Sequence, residues 1–245
     1  MKKRFLFLIL LGCIAAVTAV IGQRFYHAPK NLPPAQSYQP VSLQPQPTPA
    51  VENPPALPDQ INLAVPFTSQ APQKNWDEIH EEFCEEASVL MASHYILNKP
   101  IPNPEYAEAE LFKIKAWEEQ TFGYYKDTTA EETARILREY FGLPKVSVIQ
   151  NPTITLIKQA LAEKKLVLLP SAGRMLPNPN FKQPGPLYHM LVVKGYKTDG
   201  TIITNDPGTR NGADFIYEPD ALLNAVHDWN GGDVEHGNKV MIVVG

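Results

Sequence analysis

The sequence predicts an α+β domain, with its helices first and an antiparallel sheet after them. Three observations predict it. Apolar residues recur at helical spacing in four segments between residues 84 and 163. Beyond Leu166 they gather instead into short runs rich in β-branched residues, "LVLLP", "YHMLVVKGYK" and "TIITN". Two of these runs flank Thr198-Asp199-Gly200, a hairpin signal. That order of elements packs an N-terminal helical half against a C-terminal antiparallel sheet.

Ile61–Thr68, "INLAVPFT", alternates apolar residues and reads as an opening strand. Around Cys84, residues Ala87, Leu90, Met91 and Tyr95 share a helical face, and Asn98-Lys99-Pro100 stops that helix. Pro104–Gln120 is a second helix, with Tyr106, Leu111, Ile114 and Trp117 on its buried side. Thr128–Tyr140 is a third, because Thr129 and Glu132 have capping-box spacing and Gly142 stands just past its end. Lys145–Gln150 is a short strand and Thr153–Glu163 a fourth helix. Leu166–Pro170 is a buried strand, Tyr188–Lys197 and Thr201–Asn205 form the hairpin, and Met241–Val244 closes the sheet.

Residues 1–60 stand outside this pattern. Lys2-Lys3-Arg4 precedes an apolar run, Phe5–Gly22, about the length a membrane-spanning helix needs. A basic cluster ahead of such a run stays cytoplasmic and sends the chain beyond the run across the membrane. Residues 1–27 therefore read as an uncleaved anchor, a cleaved signal, or a lipoprotein signal around Leu10-Leu11-Gly12-Cys13. All three put the remainder outside the cytoplasm, at the cell membrane or secreted. Residues 28–60 are dense in proline and glutamine, cannot bury enough surface to fold, and read as a disordered tether. Residues 61–245 are the domain. It carries 17 basic and 24 acidic residues, a net charge of −7, which argues against nucleic acid or anionic lipid as its partner.

Cys84 is the domain's one cysteine, so outside the cytoplasm it is a thiol with no internal disulfide partner. A thiol becomes a nucleophile when a base takes its proton. His94 is ten residues further along the same helix, about 15 Å away at ~1.5 Å per residue, too far to be that base. His80, four residues before Cys84, is a local rival if the helix already runs through it. His189 opens the first hairpin strand and Asp206 stands just past the second. A two-residue turn puts position 206 on the same face as position 189, where a carboxylate can hold the imidazole; a three-residue loop reverses that parity. As a rival reading, Asp206 is simply a turn residue in "NDPG". Gln70, on the loop before the cysteine helix, could donate to a developing oxyanion beside the Cys84 N–H. His227–His236 lacks compact ligand spacing and reads as a polar loop, with no metal and no cofactor implied.

"VPFTSQAP…NW…CEEASVLMA", with "HMLVVKGY…IITNDPGT" further along the chain, resembles the papain-fold cysteine peptidases of family 39, which include bacteriocin leader-processing enzymes, in a stand-alone secreted form. The resemblance spans Asn62 to Val244. It implies a papain-like fold with Cys84 as nucleophile, His189 as base, Asp206 as the acid that orients it, and Gln70 as oxyanion donor. Two features depart from the family pattern: Glu85-Glu86 come after the cysteine where a glycine and a small residue are common, and Gln70 lies fourteen positions before it. Ionised glutamates would raise the thiol pKa; alternatively they favour the helix N-terminus and face solvent, or select a cationic substrate group. The expectation is a monomeric, membrane-tethered cysteine hydrolase acting on a peptide or other amide of the envelope. A catalytically silent binding module on the same scaffold is the alternative.

Overall fold

A single antiparallel sheet forms the spine of the domain, as seen in a computed structural model that describes residues 31–40 and 57–245. Its strands are β1 (Ile61–Asn62), β2 (Val146–Gln150), β3 (Leu166–Ala172), β4 (Tyr188–Tyr196), β5 (Ile202–Asn205), β6 (Phe215–Tyr217) and β7 (Val240–Val244). They run in the order β2-β7-β3-β4-β5-β6, with β1 pairing β4 as well. β3 and β4 are buried along their whole length, which explains why their sequences read as continuous apolar runs.

The helices are α1 (Cys84–Ile96), α2 (Pro104–Thr121), α3 (Ala130–Arg135), α4 (Ile154–Ala162) and α5 (Pro219–Ala225). α1 is buried on every side from Cys84 to Tyr95, so it runs through the core between β4 and α2 and has no solvent face at all. The one-sided face expected for it is corrected accordingly. In α2, Leu111 and Ile114 are buried as expected, while Tyr106 and Trp117 are only partly covered and Glu118 is wholly buried. α3 opens on the capping box formed by Thr129 and Glu132, then widens at Ile136–Tyr140 into a π turn that Phe141 N–H closes on the Ile136 carbonyl.

Two further expectations are corrected. The opening strand is only Ile61–Asn62, since the chain then turns to pair Ala64 with Gln36 and reaches Pro66, which has no N–H to give a ladder. Gln36 lies within the segment read as a tether. There, Gln36 N–H donates to Asn62 O at 2.7 Å, the Gln36 carbonyl accepts from Ala64 N–H at 2.7 Å, and the Tyr38 ring meets Tyr95 edge-on at 5.5 Å. Residues 33–40 thus belong to the same compact unit as residues 57–245. The expected anchor, residues 1–27, lies outside the described residues. Among those described, no helix is long and apolar enough to cross a membrane.

Candidate active site

Cys84 is the first residue of α1, where the opening N–H groups of a helix have no carbonyl four residues back. Its side chain points into the protein and is 5% exposed. One turn on, Ser88 Oγ donates to the Met190 carbonyl of β4 at 3.2 Å, which fixes how far α1 slides along that strand. The Met190 N–H reaches the Cys84 sulfur, so the thiol lies beside the residue next to His189 in β4.

His189 and Asp206 meet by a route other than the simple turn. The hairpin loop holds three residues, 198–200, inside a Lys197–Thr201 pair, with Gly200 at φ +90°. Alone that would send positions 189 and 206 to opposite faces. Lys194, however, is skipped by the ladder, which steps from Gly195↔Ile203 to Val193↔Thr204. The bulge restores the parity. Continued past Val192↔Asn205, the ladder sets Asp206 on the face that His189 shares.

His189 Nε2 lies 2.8 Å from Asp206 Oδ1, and both side chains are buried. The other ring nitrogen, Nδ1, is buried with no hydrogen-bond partner among the described residues. Asp206 Oδ1 also accepts the Gly208 N–H at 3.0 Å, while Oδ2 accepts from Asn178 Nδ2 at 2.9 Å and from Tyr217 Oη at 2.6 Å. Burial alone would raise the pKa of this carboxyl. The His189 charge and the bonds from His189, Tyr217 and Asn178 outweigh it and hold the carboxyl below its ordinary value.

The rival histidines have other duties. His80 Nδ1 bonds Asp77 at 2.7 Å and Nε2 bonds Glu108 at 2.8 Å, so neither nitrogen is open to Cys84. Its burial works against a charge, but the two carboxylates prevail and its pKa is raised. His94 Nε2 bonds Tyr106 Oη at 2.9 Å.

Gln70 is buried and ties the loops of the site together. Its backbone N–H donates to Pro207 O at 3.0 Å, and its side-chain Nε2 donates to His80 O at 2.8 Å and Glu81 O at 2.9 Å. Both amide hydrogens are engaged, so the oxyanion role expected of Gln70 requires one of these bonds to open.

Of the readings open for Glu85 and Glu86, the solvent-facing one is excluded, since they are 1% and 0% exposed. Cys84 Sγ donates to Glu85 Oε2 at 2.8 Å, and Glu85 Oε1 accepts the Thr128 N–H at 3.0 Å. Burial, then the Glu85 charge and hydrogen bond, push the Cys84 thiol well above its ordinary pKa. Burial pushes Glu85 itself up to about 8. Glu86 of α1 and Glu118 of α2 are both buried, and none of their four carboxyl oxygens has a hydrogen-bond partner among the described residues. Burial first, then the neighbouring carboxyls, push both above their ordinary values.

A cleft of about 750 Å³ lies alongside, lined by Gln70, Trp76, Glu82, Phe181, Tyr188 and Gly208 among others, though not by Cys84, His189 or Asp206 themselves. Gly208 keeps its floor thin, since a Cβ there would lie 2.8 Å from His189 Cε1. Among the described residues no three His, Cys, Asp or Glu side chains converge as a metal site needs.

Sequence reasoning missed Ser88, Asn178, Tyr217 and the contact made by Glu85. Ser88 had a signal, a polar residue four positions after Cys84 on the same helical face. Asn178 and Tyr217 had none, for they arrive from a loop and from β6.

A profile of the Peptidase C39-like family matches residues 62–230. Among solved structures, one described as a C39-like peptidase from Bacillus anthracis is 15% identical, with 76% of this chain and 98% of that one covered, at a TM-score of 0.47. A fragment of Prevotella intermedia prointerpain A is 17% identical, with 56% of this chain and 42% of that one covered, at a TM-score of 0.37. No curated protein matches the chain.

Proposed function

The chain belongs to the Peptidase C39-like family and is a cysteine peptidase, and from that premise we propose that Cys84, His189 and Asp206 are its catalytic triad. The observation that carries this reading is the buried imidazole of His189, with Nε2 held by Asp206 and Nδ1 unpartnered beside the strand residue that touches the Cys84 sulfur. The Cys84 sulfur gives its proton to His189 Nδ1 and attacks the carbonyl carbon of a peptide bond lying in the cleft. Asp206 fixes the tautomer and stabilises the imidazolium. The proton then passes from His189 to the leaving amine, and water releases the acyl group. The Cys84 N–H, at the helix start, meets the oxyanion. Gln70 joins it by exchanging the Glu81 carbonyl for the substrate oxygen.

The test compares iodoacetamide alkylation of Cys84 in His189→Ala and His80→Ala. General-base assistance is worth roughly 10²–10⁴ in rate, so His189→Ala should lose most reactivity near neutral pH while His80→Ala stays near wild type. The opposite ranking would sink the triad.

The domain acts outside the cytoplasm on a peptide or other amide of the envelope, held at the membrane by residues 1–27. Support for this is the basic cluster ahead of the apolar run Phe5–Gly22. A reporter active only after export, fused at Pro58, should be active; a silent one would overturn the location.

A further inference from the structure

A carboxyl that the triad does not use lies within hydrogen-bond distance of the nucleophilic sulfur. Glu85 Oε2 lies 2.8 Å from Cys84 Sγ, and the Thr128 N–H holds Oε1 at 3.0 Å, so the carboxyl is fixed with one oxygen aimed at the sulfur. Glu85 is 1% exposed and Cys84 5%, so water cannot screen the pair. The groups that face Glu85 from the surrounding elements are Cys84 and Glu86 of α1, Glu82 just before it, Glu118 of α2, Asp127 ahead of α3, and Tyr188 of β4. All of these are acids. The base at the sulfur is His189 of β4, whose imidazolium, once it has taken the thiol proton, balances the thiolate alone and leaves a second negative charge at Glu85 uncompensated.

A thiolate and a carboxylate cannot both persist at that distance in such surroundings. Whenever Cys84 is ionised, Glu85 must hold a proton, and the one place for it is Oε2, between the two. Resting on the triad reading above, we propose that Glu85 is a fourth catalytic residue, a carboxylic acid whose O–H donates to the Cys84 sulfur and stabilises its thiolate. The Sγ–H bond breaks, its proton goes to His189 Nδ1, and the electron pair stays on sulfur. Glu85 keeps its own proton throughout and turns it toward that pair, while its carbonyl oxygen goes on accepting from Thr128. Attack then forms the S–C bond, the C–N bond breaks, and the His189 proton leaves with the amine.

This arrangement gives the site an alkaline limit. Burial holds Glu85 protonated up to about pH 8. Above that, the carboxylate accepts the thiol hydrogen instead and keeps Cys84 un-ionised. The residues next to the cysteine that look inhibitory in the sequence thus act for catalysis in one protonation state and against it in the other.

The experiment measures iodoacetamide alkylation of the full chain between pH 6 and 10 for wild type, Glu85→Gln, Glu85→Ala and His189→Ala, with circular dichroism confirming the fold at each pH. Wild-type reactivity should fall about tenfold between pH 8 and pH 9.5, tracking the ionised fraction of one acid. Glu85→Gln, whose amide can donate to sulfur and accept from Thr128, should keep its plateau across that range. Glu85→Ala should lack the alkaline fall but react more slowly than Glu85→Gln. A Glu85→Gln profile that falls like the wild type overturns the proposal. If Glu85→Gln does not fold, the wild type decides alone, and reactivity that keeps rising through pH 9.5 overturns it. His189→Ala reports separately on the triad, since unchanged reactivity there would refute the triad whatever Glu85→Gln does.

Discussion

His189 faces Asp206 because Lys194 is surplus to the ladder between β4 and β5. The three-residue loop at 198–200 shifts the register by one, and the bulge at Lys194 shifts it back, leaving Nε2 and Oδ1 2.8 Å apart. Neither irregularity brings the pair together without the other.

Asp206→Asn should keep the fold and lower thiol reactivity. An amide can still occupy the position, but it no longer stabilises an imidazolium or dictates the tautomer. Tyr217→Phe removes the 2.6 Å bond to Oδ2 and the 3.2 Å bond that Tyr217 Oη accepts from Asn178 Nδ2. It should act in the same direction but more weakly, by about tenfold, because Asn178 still holds that oxygen. Alkylation rates for the two variants side by side check this. A Tyr217→Phe loss equal to that of Asp206→Asn would mean the tyrosine does more than anchor the carboxylate.

Gly208→Ala should disable the site without unfolding the protein. The added methyl would lie 2.8 Å from both His189 Cε1 and Phe181 Cε1, so the imidazole must move. A displacement near 1 Å costs on the order of 10²-fold in rate. Peptide hydrolysis and a thermal melt, measured together, separate displaced chemistry from lost stability.

Stability should decline as the solution becomes alkaline. Burial, together with neighbouring carboxyls, raises Glu86 and Glu118 above their ordinary values, with Glu118 reaching about 9. An acid whose folded pKa is raised contributes its full stability below its unfolded pKa, near 4.5, and loses it as pH rises toward the folded value. Each proton concerned is worth ~1.4 kcal/mol per pH unit over that window. Glu118→Gln should flatten the fall in melting temperature between pH 5 and pH 9. An equally steep fall in that variant would place the proton elsewhere.

Removing residues 33–40 should destabilise the domain by ~1–3 kcal/mol. The segment supplies two backbone bonds to Asn62 and Ala64, a third from Asn62 Nδ2 to the Pro33 carbonyl, and the Tyr38 ring against Tyr95. Urea unfolding of a chain that starts at Leu57 checks this, and an unchanged midpoint would mean that the segment adds nothing.

The sequence by itself determined the elements and the identity of the chemical groups. Helical period, capping signals and β-rich runs are local properties, so α2, α4, β3, β4 and the Thr129–Glu132 box were legible one segment at a time. The motif around Cys84 and the histidine that opens β4 were legible for the same reason. Only the tertiary structure decided what those groups meet. Burial of α1 on every side depends on what packs over it, and that made Glu85, for which the sequence left several readings open, a partner of the thiol. The bulge at Lys194 leaves no mark in composition, because it is a mismatch between two strands and belongs to neither. Tyr217 and Asn178 reach Asp206 from 11 and 28 residues away, and no local spacing encodes such a meeting. A pattern within one segment is fixed by short-range sterics and periodicity. A protonation state, by contrast, is fixed by every charge and every water that packing brings near or excludes.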